Sequence, residues 1–377
     1  MNRTGARAVV VGAGIVGAAI AEALALEGWV VTVIDQGPIG GGATAAGMGH
    51  IVVMDDSQAQ IALTSYSQRL WDQRGSQLPA SGERMVCGTL WVAADAEEMA
   101  EVYRKEKFYH SHGLAAQVLD AKALREAEPH LCPGLAGGLV VPGDSVVYPP
   151  PIAAFMLDVV RRHGGTIRLG QRVTAMTGQS ITMADGTKLE CDYAINATGC
   201  AAGMLTARLD VRPRKGHLVI TDRYPGFVRH QLVELGYLKS AHSTAGDSVA
   251  FNVQPRPTGQ VLIGSSRQYG DDSREVNYAI LTRMLHRAIE YMPEIGTLSA
   301  IRVWTGFRAA TPDKLPLIGP HPEDPRLYLA TGHEGLGITT SLGTAGLIAD
   351  HIMNRPTQIS IAPYLPARLL AEAGHGH

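Results

Sequence analysis

The chain has 377 residues, 45% of them apolar and 18% charged, with a net charge of −2. That length suits two domains with ample core, and the lack of any basic tract excludes nucleic acid as a partner. The four cysteines, Cys87, Cys132, Cys191 and Cys200, form no C-x-x-C pair, which excludes an iron–sulfur cluster or zinc site built by this chain alone and fits a reducing cytoplasm.

Residues 8–34 are apolar enough to resemble a signal peptide or a membrane helix. Glu22, Glu27, four glycines and β-branched runs at both ends argue instead for strand, turn, helix and strand, and no membrane span is expected. Ala8 to Val11 form a buried strand. Gly12, Gly14 and Gly17, with Ala13, Ile15 and Val16 between them, give G-x-G-x-x-G. Gly12 permits the turn, Gly14 lets a pyrophosphate approach the backbone, and Gly17 lets the helix lie close to the strand. The helix, expected over 15–27, offers its N–H groups and positive dipole end to phosphate. A second strand, Val30 to Ile34, ends in Asp35 and Gln36. Asp35 lies 23 residues beyond Gly12, where a carboxylate accepts ribose hydroxyls. Together these elements indicate dinucleotide binding.

The small, glycine-rich stretch 37–51 suits a chain that follows a diphosphate to a flavin ring; a surface loop is the alternative. Residues 149–165 have helical spacing and stop at Gly164. Three strand signals follow over 164–200, two of them joined by an Asp185-Gly186 hairpin. The last strand ends in Ala197-Thr198-Gly199, small residues suited to close passage of a ligand. Segments 85–148 and 217–303 carry short β runs, such as "SVAFNVQP" and "GQVLIGSS", and a polar helix over 275–291. They read as an antiparallel sheet with helices on one side, inserted twice into the first domain. Near the C-terminus, Leu327 to Ala330 is a strand, Gly332 to Gly337 a glycine loop, and a helix follows from about Thr340. Its N-terminus can face the pyrimidine end of a flavin, where reduction places negative charge. His110, His112 and the histidines of the tail "AEAGHGH" read as solvated surface, so no metal is expected.

"VVVGAGIVG…VID", "ATAAGMG", "INATG", "WTGFRAATPDKLPLIG" and "LYLATGHEGLGITTSLGTAGLIADHI" occur in this order. With these motifs the chain resembles the FAD-dependent D-amino-acid-oxidase superfamily, which includes glycine oxidase and the sarcosine oxidases. "ELGYLKSAHS", "FNVQPRPTGQVLIGSSRQ" and "ATGHEGLGI" further resemble the β subunits of bacterial D-hydroxyproline dehydrogenases and opine oxidases. The resemblance implies an α/β fold: a Rossmann-like FAD domain of the glutathione-reductase kind (1–84, 149–216, 310–377) with an inserted α+β substrate domain on an antiparallel sheet (85–148, 217–309). It implies FAD as cofactor. Gly12, Gly14 and Gly17 would hold the diphosphate and Asp35 the ribose, where the family more often has glutamate. Ala43, Thr44, Gly47, Met48 and the adjoining Gly49 would line diphosphate and ring. Val173 would meet adenine through its backbone, and Ala197, Thr198 and Gly199 would lie near the diphosphate. Gly332 and the run Gly335, Leu336, Gly337, Ile338 and Thr339 would form the loop facing flavin N1 and O2. Arg308 matches the arginine that clamps the substrate carboxylate; the alternative is an ion pair with a protein acid such as Asp313.

The implied activity is oxidation of the C–N bond of a small amino or imino acid by hydride transfer from Cα to flavin N5, as in a D-hydroxyproline or D-proline dehydrogenase working with further subunits. The alternatives are a glycine- or sarcosine-type oxidase using O2, an opine oxidase subunit, and a non-catalytic FAD subunit relaying electrons. His50 and Glu334 either take the amine proton, hydrogen-bond a ring hydroxyl, or are structural. Tyr237 and Arg267 are weaker pocket candidates. A disulfide reductase would need a second glycine motif and a redox cysteine pair, and neither is present. Further subunits or a homo-oligomer, and a cytoplasmic or membrane-peripheral location, complete the expectation.

Overall fold

The structure is a computed structural model that describes residues 5–236 and 246–370. The chain divides into two compact units. Met1–Gly82, Tyr148–Pro213 and Phe307–His377 form the first, and Glu83–Val147 with Arg214–Gly306 form the second.

The first unit holds a six-stranded sheet in the order Leu317–His321, Asp324–Thr331, Tyr193–Asn196, Arg7–Val11, Val30–Asp35, Thr166–Leu169. Its strands run parallel, except that Leu317–His321 is antiparallel to Asp324–Thr331. The inner strands are largely apolar because both faces are covered. Val9, Val11, Ile34, Ala194 and Leu327 pack on Val173, Met176 and Ile181 of a three-stranded antiparallel layer, Val173–Met176, Ser180–Met183 and Lys188–Glu190, and on Cys191 just after it. Strand alternation turns Ala8, Val10, Val31 and Val33 to the other face, toward the helices. There helix Ile15–Leu26 packs against helices Pro149–Arg162 and Gly337–Ile352, and Gln58–Arg74 packs on the latter. Two glycines inside helix Gly337–Ile352 explain the closeness of that last pair. A Cβ on Gly343 would lie 2.7 Å from Ser67 Oγ, and one on Gly346 would lie 2.6 Å from the Tyr66 hydroxyl.

Two helices begin elsewhere than the sequence suggests. The C-terminal helix starts at Gly337, three residues before Thr340. Gly337 looks like loop punctuation, but it sits in the first turn beside Val16 and His333. The helix expected from 275 starts at Tyr278, because Asn277 Oδ1 accepts from the N–H groups of Ala279 and Ile280 and caps it.

The second unit is built on an eight-stranded sheet, ordered Ala300–Ala310, Arg212–Arg223, Gln260–Arg267, Ser248–Pro255, Gln231–Glu234, Thr89–Ala93, Gly137–Val141, Gln117–Asp120. The described pairings are antiparallel, apart from Gln231–Glu234, which runs parallel to Thr89–Ala93. Leu90, Val92, Leu232, Phe251, Val253, Val261 and Ile263 face a core that includes Leu281, Met284, Ala288 and Tyr291 of helix Tyr278–Tyr291. The alternate residues Thr89, Trp91, Gln231, Asn252 and Gln254 are also buried, and each carries a polar group.

One buried ion pair joins two helices of the first unit. Arg74 donates through both terminal nitrogens to Glu22, at 2.5 and 2.6 Å, and the Glu22 side chain is only 2% exposed. Removing the cation alone strands a desolvated carboxylate. Arg74→Met should therefore cost about 3 kcal/mol in urea unfolding, and adding Glu22→Gln should restore most of it. A loss below about 0.5 kcal/mol would class the pair with surface ion pairs.

Candidate cofactor and substrate site

Parallel strands deliver their C-terminal ends to one edge of a sheet, and in such folds that edge is where ligands bind. Four neighbouring strands of the first unit end there, and each is followed by a segment singled out in the sequence. Gly12 to Gly17 follows Arg7–Val11, Gln36 to Gly49 follows Val30–Asp35, Ala197 to Gly199 follows Tyr193–Asn196, and Gly332 to Thr339 follows Asp324–Thr331.

Backbone passes against backbone in the first segment. Gly12 has φ +117, and a Cβ there would lie 2.4 Å from the Ala197 carbonyl oxygen. A Cβ on Gly17 would lie 2.0 Å from the Gly12 oxygen. Helix Ile15–Leu26 starts at Gly14 with no side-chain cap of its own and no acid in its first turn, so its positive end stays available to an anion. Thr44 Oγ1 accepts the Ile15 N–H at 3.0 Å and would stand 3.1 Å from a Cβ on Gly14. Asp35 receives the Ala13 N–H on Oδ2 and the Gly37 N–H on Oδ1, both at 2.7 Å. It thus braces the glycine turn, and a carboxylate has acceptor capacity left for a ribose hydroxyl. Gln171 N–H bonds the Asp35 carbonyl, which brings the start of the Val173–Met176 strand to the same end.

The third segment depends on a residue that sequence reasoning passed over. Asn196 is fully buried. Its Oδ1 accepts from the Thr198 hydroxyl and N–H, and its Nδ2 donates to the Ala202 carbonyl and Thr206 Oγ1. The available signal was a polar amide closing an otherwise apolar strand. Thr331 Oγ1 donates to the Gly199 carbonyl at 2.9 Å and ties this loop to the next strand.

Thr339 fastens the fourth segment to the second. Its hydroxyl donates to the His50 carbonyl at 2.8 Å, and its own carbonyl accepts from Trp71 Nε1. A Cβ on Gly47 would meet Ile338 Cδ1 at 2.9 Å, so Met48, Gly49 and His50 follow a chain already drawn against that helix. Helix Gly337–Ile352 starts at Leu336 without a side-chain cap or first-turn acid, a second open positive end.

Just before it, the Leu336 N–H bonds the His333 carbonyl at 2.7 Å across Glu334 (φ 50) and Gly335 (φ 93), a turn with two left-handed residues. Arg308 lies against this turn: a Cβ on Gly335 would be 3.1 Å from Arg308 Cδ and 3.2 Å from its Nε. The Glu334 N–H donates to the carbonyl of Ala309, the next residue after Arg308, at 3.0 Å. Asp313 is engaged elsewhere, accepting Arg368 Nε at 2.6 Å, so the acid named as an alternative partner for Arg308 has its own arginine. Tyr237 lies outside the described residues, and Arg267 is a buried residue of the second unit. Among the described residues no group of three or more His, Cys, Asp or Glu could hold a metal, and no helix is long and apolar enough to cross a membrane.

His333 is buried behind the turn, with Nε2 3.1 Å from Thr344 Oγ1. Burial pushes its pKa down to about 4. Between its unfolded value near 6.5 and about 4 the unfolded chain binds the extra proton, so stability falls as pH falls through that window. The His333 share is up to about 3 kcal/mol. Urea midpoints of the wild type should drop between pH 6.5 and 4, and His333→Gln should flatten that part of the profile. An unchanged slope would remove His333 from the acid sensitivity.

A first helix end braced by Thr44 and Asp35, a tight glycine turn, and a second helix end with no side-chain cap suit a cofactor with anionic groups such as FAD. Comparison with known proteins agrees. Residues 7–351 match the family described as FAD dependent oxidoreductase, DAO. Glycine oxidase of Geobacillus kaustophilus is 28% identical over 384 residues, covering 97% of each chain. The hydrogen cyanide synthase subunit HcnC of Pseudomonas aeruginosa is 30% identical over 272 residues, 69% of this chain and 62% of that one. The crystal structure of the Geobacillus kaustophilus glycine oxidase superposes with a TM-score of 0.85 at 27% identity, covering 96% of this chain and 98% of that one. The strand-end cradle and the match along most of the chain place this protein in the DAO family of FAD-dependent oxidoreductases.

Proposed function

We propose that the enzyme oxidises the C–N bond of a small amino or imino acid, with D-proline and D-hydroxyproline as the leading substrates. The observation that carries this reading is Arg308, held on a left-handed turn at the open end of helix Gly337–Ile352. A planar guanidinium makes two parallel bonds to a carboxylate and so fixes the orientation of the acid as well as its presence. FAD, when bound, supplies the acceptor for the hydrogen on the substrate carbon. The chain's part is then to orient: Arg308 receives the carboxylate, and the two helix ends receive the diphosphate and the pyrimidine side of the ring. His50, drawn to the same helix through its carbonyl, is a candidate for binding a ring hydroxyl.

We further infer that the chain works with partner subunits and passes electrons to a quinone or dye-like acceptor. This rests on the resemblance to multi-subunit dehydrogenases and on the likeness to HcnC, itself a subunit. The full-length likeness to glycine oxidase favours the rival reading, an enzyme that reduces O2 directly. Peroxide formed by the isolated chain at the rate of dye reduction would decide for the rival.

An anaerobic screen of D-proline, D-hydroxyproline, sarcosine, glycine and opines for flavin bleaching tests the substrate class. Arg308→Ala should keep FAD, since its phosphates are held by the N-terminal segments, and should lose roughly 10- to 100-fold or more in kcat/KM. Arg308→Lys should recover only part, because an ammonium keeps the charge without the fork. Wild type should reject a carboxamide substrate far more strongly than Arg308→Ala does. Equal preference for the acid in both would remove Arg308 from the carboxylate site.

A further inference from the structure

Helix Gln58–Arg74 carries three polar side chains on a buried face. Thr64, Ser67 and Trp71 are spaced three and four apart, so they share one side of the helix, and each is 0% exposed. Such a face is ordinarily kept for apolar groups, because a buried hydroxyl or indole N–H is costly unless it is bonded. All three are bonded outside their own helix, to backbone groups of the stretch after His50 and of helix Gly337–Ile352. Thr64 Oγ1 accepts the Met54 N–H at 3.1 Å. Trp71 Nε1 donates to the Thr339 carbonyl at 3.0 Å. Ser67 Oγ accepts the Gly343 N–H at 2.7 Å.

Residues 339 and 343 are the two ends of one helical rung, in which the N–H of residue 343 bonds the carbonyl of residue 339. Here both ends of that rung are gripped from the neighbouring helix. Gly343 admits the grip, since a Cβ there would stand 2.7 Å from Ser67 Oγ. Thr339 is fixed again through its hydroxyl, which donates to the His50 carbonyl at 2.8 Å. It is the third residue of its helix. Its N–H, with those of Gly337 and Ile338, therefore precedes the first intrahelical bond, from the Thr340 N–H to the Leu336 carbonyl at 2.8 Å. These three donors make the positive end of the helix, and donors stabilise an arriving charge best when they are already aimed. We propose that Trp71 and Ser67 are positioning residues for the flavin. By holding the 339–343 rung from outside, they fix the direction of the first-turn N–H groups. They thereby set how well this helix end stabilises the negative charge that reduction places on the ring. The inference rests on the reading above that this end receives the pyrimidine side of the ring. Without the indole N–H, the Thr339 carbonyl is left unpaired or draws the Gly343 N–H back from Ser67. The second course re-forms a regular rung and turns the first helical residues.

The test equilibrates the FAD-loaded full chain with a reference redox dye and reads the ratio of reduced to oxidised flavin at a fixed dye ratio. Trp71→Phe keeps an aromatic ring in place and removes the donor. It should lower that ratio roughly threefold or more relative to wild type, because the reduced ring loses stabilisation. Ser67→Ala, which removes a single oxygen, should lower it in the same direction by about twofold or more. A role confined to packing would give a lower melting temperature with the ratio unchanged, and that result overturns the proposal. Should Trp71→Phe fail to retain FAD, Ser67→Ala decides alone by the same criterion. Leu336→Asp is the control for the underlying reading. An acid suits the cap position of a helix but opposes negative charge on a ligand there, so this variant should also lower the ratio. If it does and the other two variants do not, the positioning role alone fails. If Leu336→Asp leaves the ratio unchanged, the ring does not lie at this helix end, and the reading beneath the proposal fails with it.

Discussion

The approach of backbone to backbone at the first glycine turn is the constraint on which the site depends. The chain leaves strand Arg7–Val11 with so little room that a methyl group on Gly17 would overlap the Gly12 carbonyl, and one on Gly12 would overlap Ala197. Because the turn is that tight, helix Ile15–Leu26 starts directly at the strand edge, with its N-terminal end toward the loops of the neighbouring strands. Asp35 and Thr44 then bind the same turn from two other segments. Loosening any one of these would move the N-terminal end of the helix away from the edge where the other loops meet.

Electrostatics repeat the theme. Neither helix Ile15–Leu26 nor helix Gly337–Ile352 has an acid in its first turn that would cancel its dipole. The acids nearby are spent on backbone amides or on arginines, as Asp35 and Asp313 show. The edge therefore suits anions.

Much of this was legible in the sequence, and the reasons are local. Gly12, Gly14, Gly17 and Asp35 announce themselves because a strand, a turn and a helix need those residues at those spacings, whatever lies elsewhere. The Asp185-Gly186 hairpin and the strands Ser248–Pro255 and Gln260–Arg267 follow from alternation and turn chemistry in the same way. What stayed hidden was set by distant partners. Nothing near Thr44 tells that its hydroxyl will cap Ile15, 29 residues earlier. Nothing near Thr339 tells that it will hold the His50 carbonyl, 289 residues away. Gly337, Gly343 and Gly346 look like helix breakers until the helices packed against them are seen. Asn196 could have been noticed, since an amide at the end of a buried strand must find partners. The type I′ turn at Glu334 could not, because glutamate is a poor signal for it.

The order of strands in the first unit has a consequence for how the protein is made. Its founding strand, Arg7–Val11, pairs on one side with Val30–Asp35, which leaves the ribosome almost at once, and on the other with Tyr193–Asn196, paired at Ala8↔Tyr193. The next strand out, Asp324–Thr331, lies far along the chain from Tyr193–Asn196, with which it pairs. Contacts of such long sequence separation close slowly and late. The N-terminal motif therefore emerges as a two-strand fragment with an exposed apolar edge, and must wait for partner strands that lie far along the sequence.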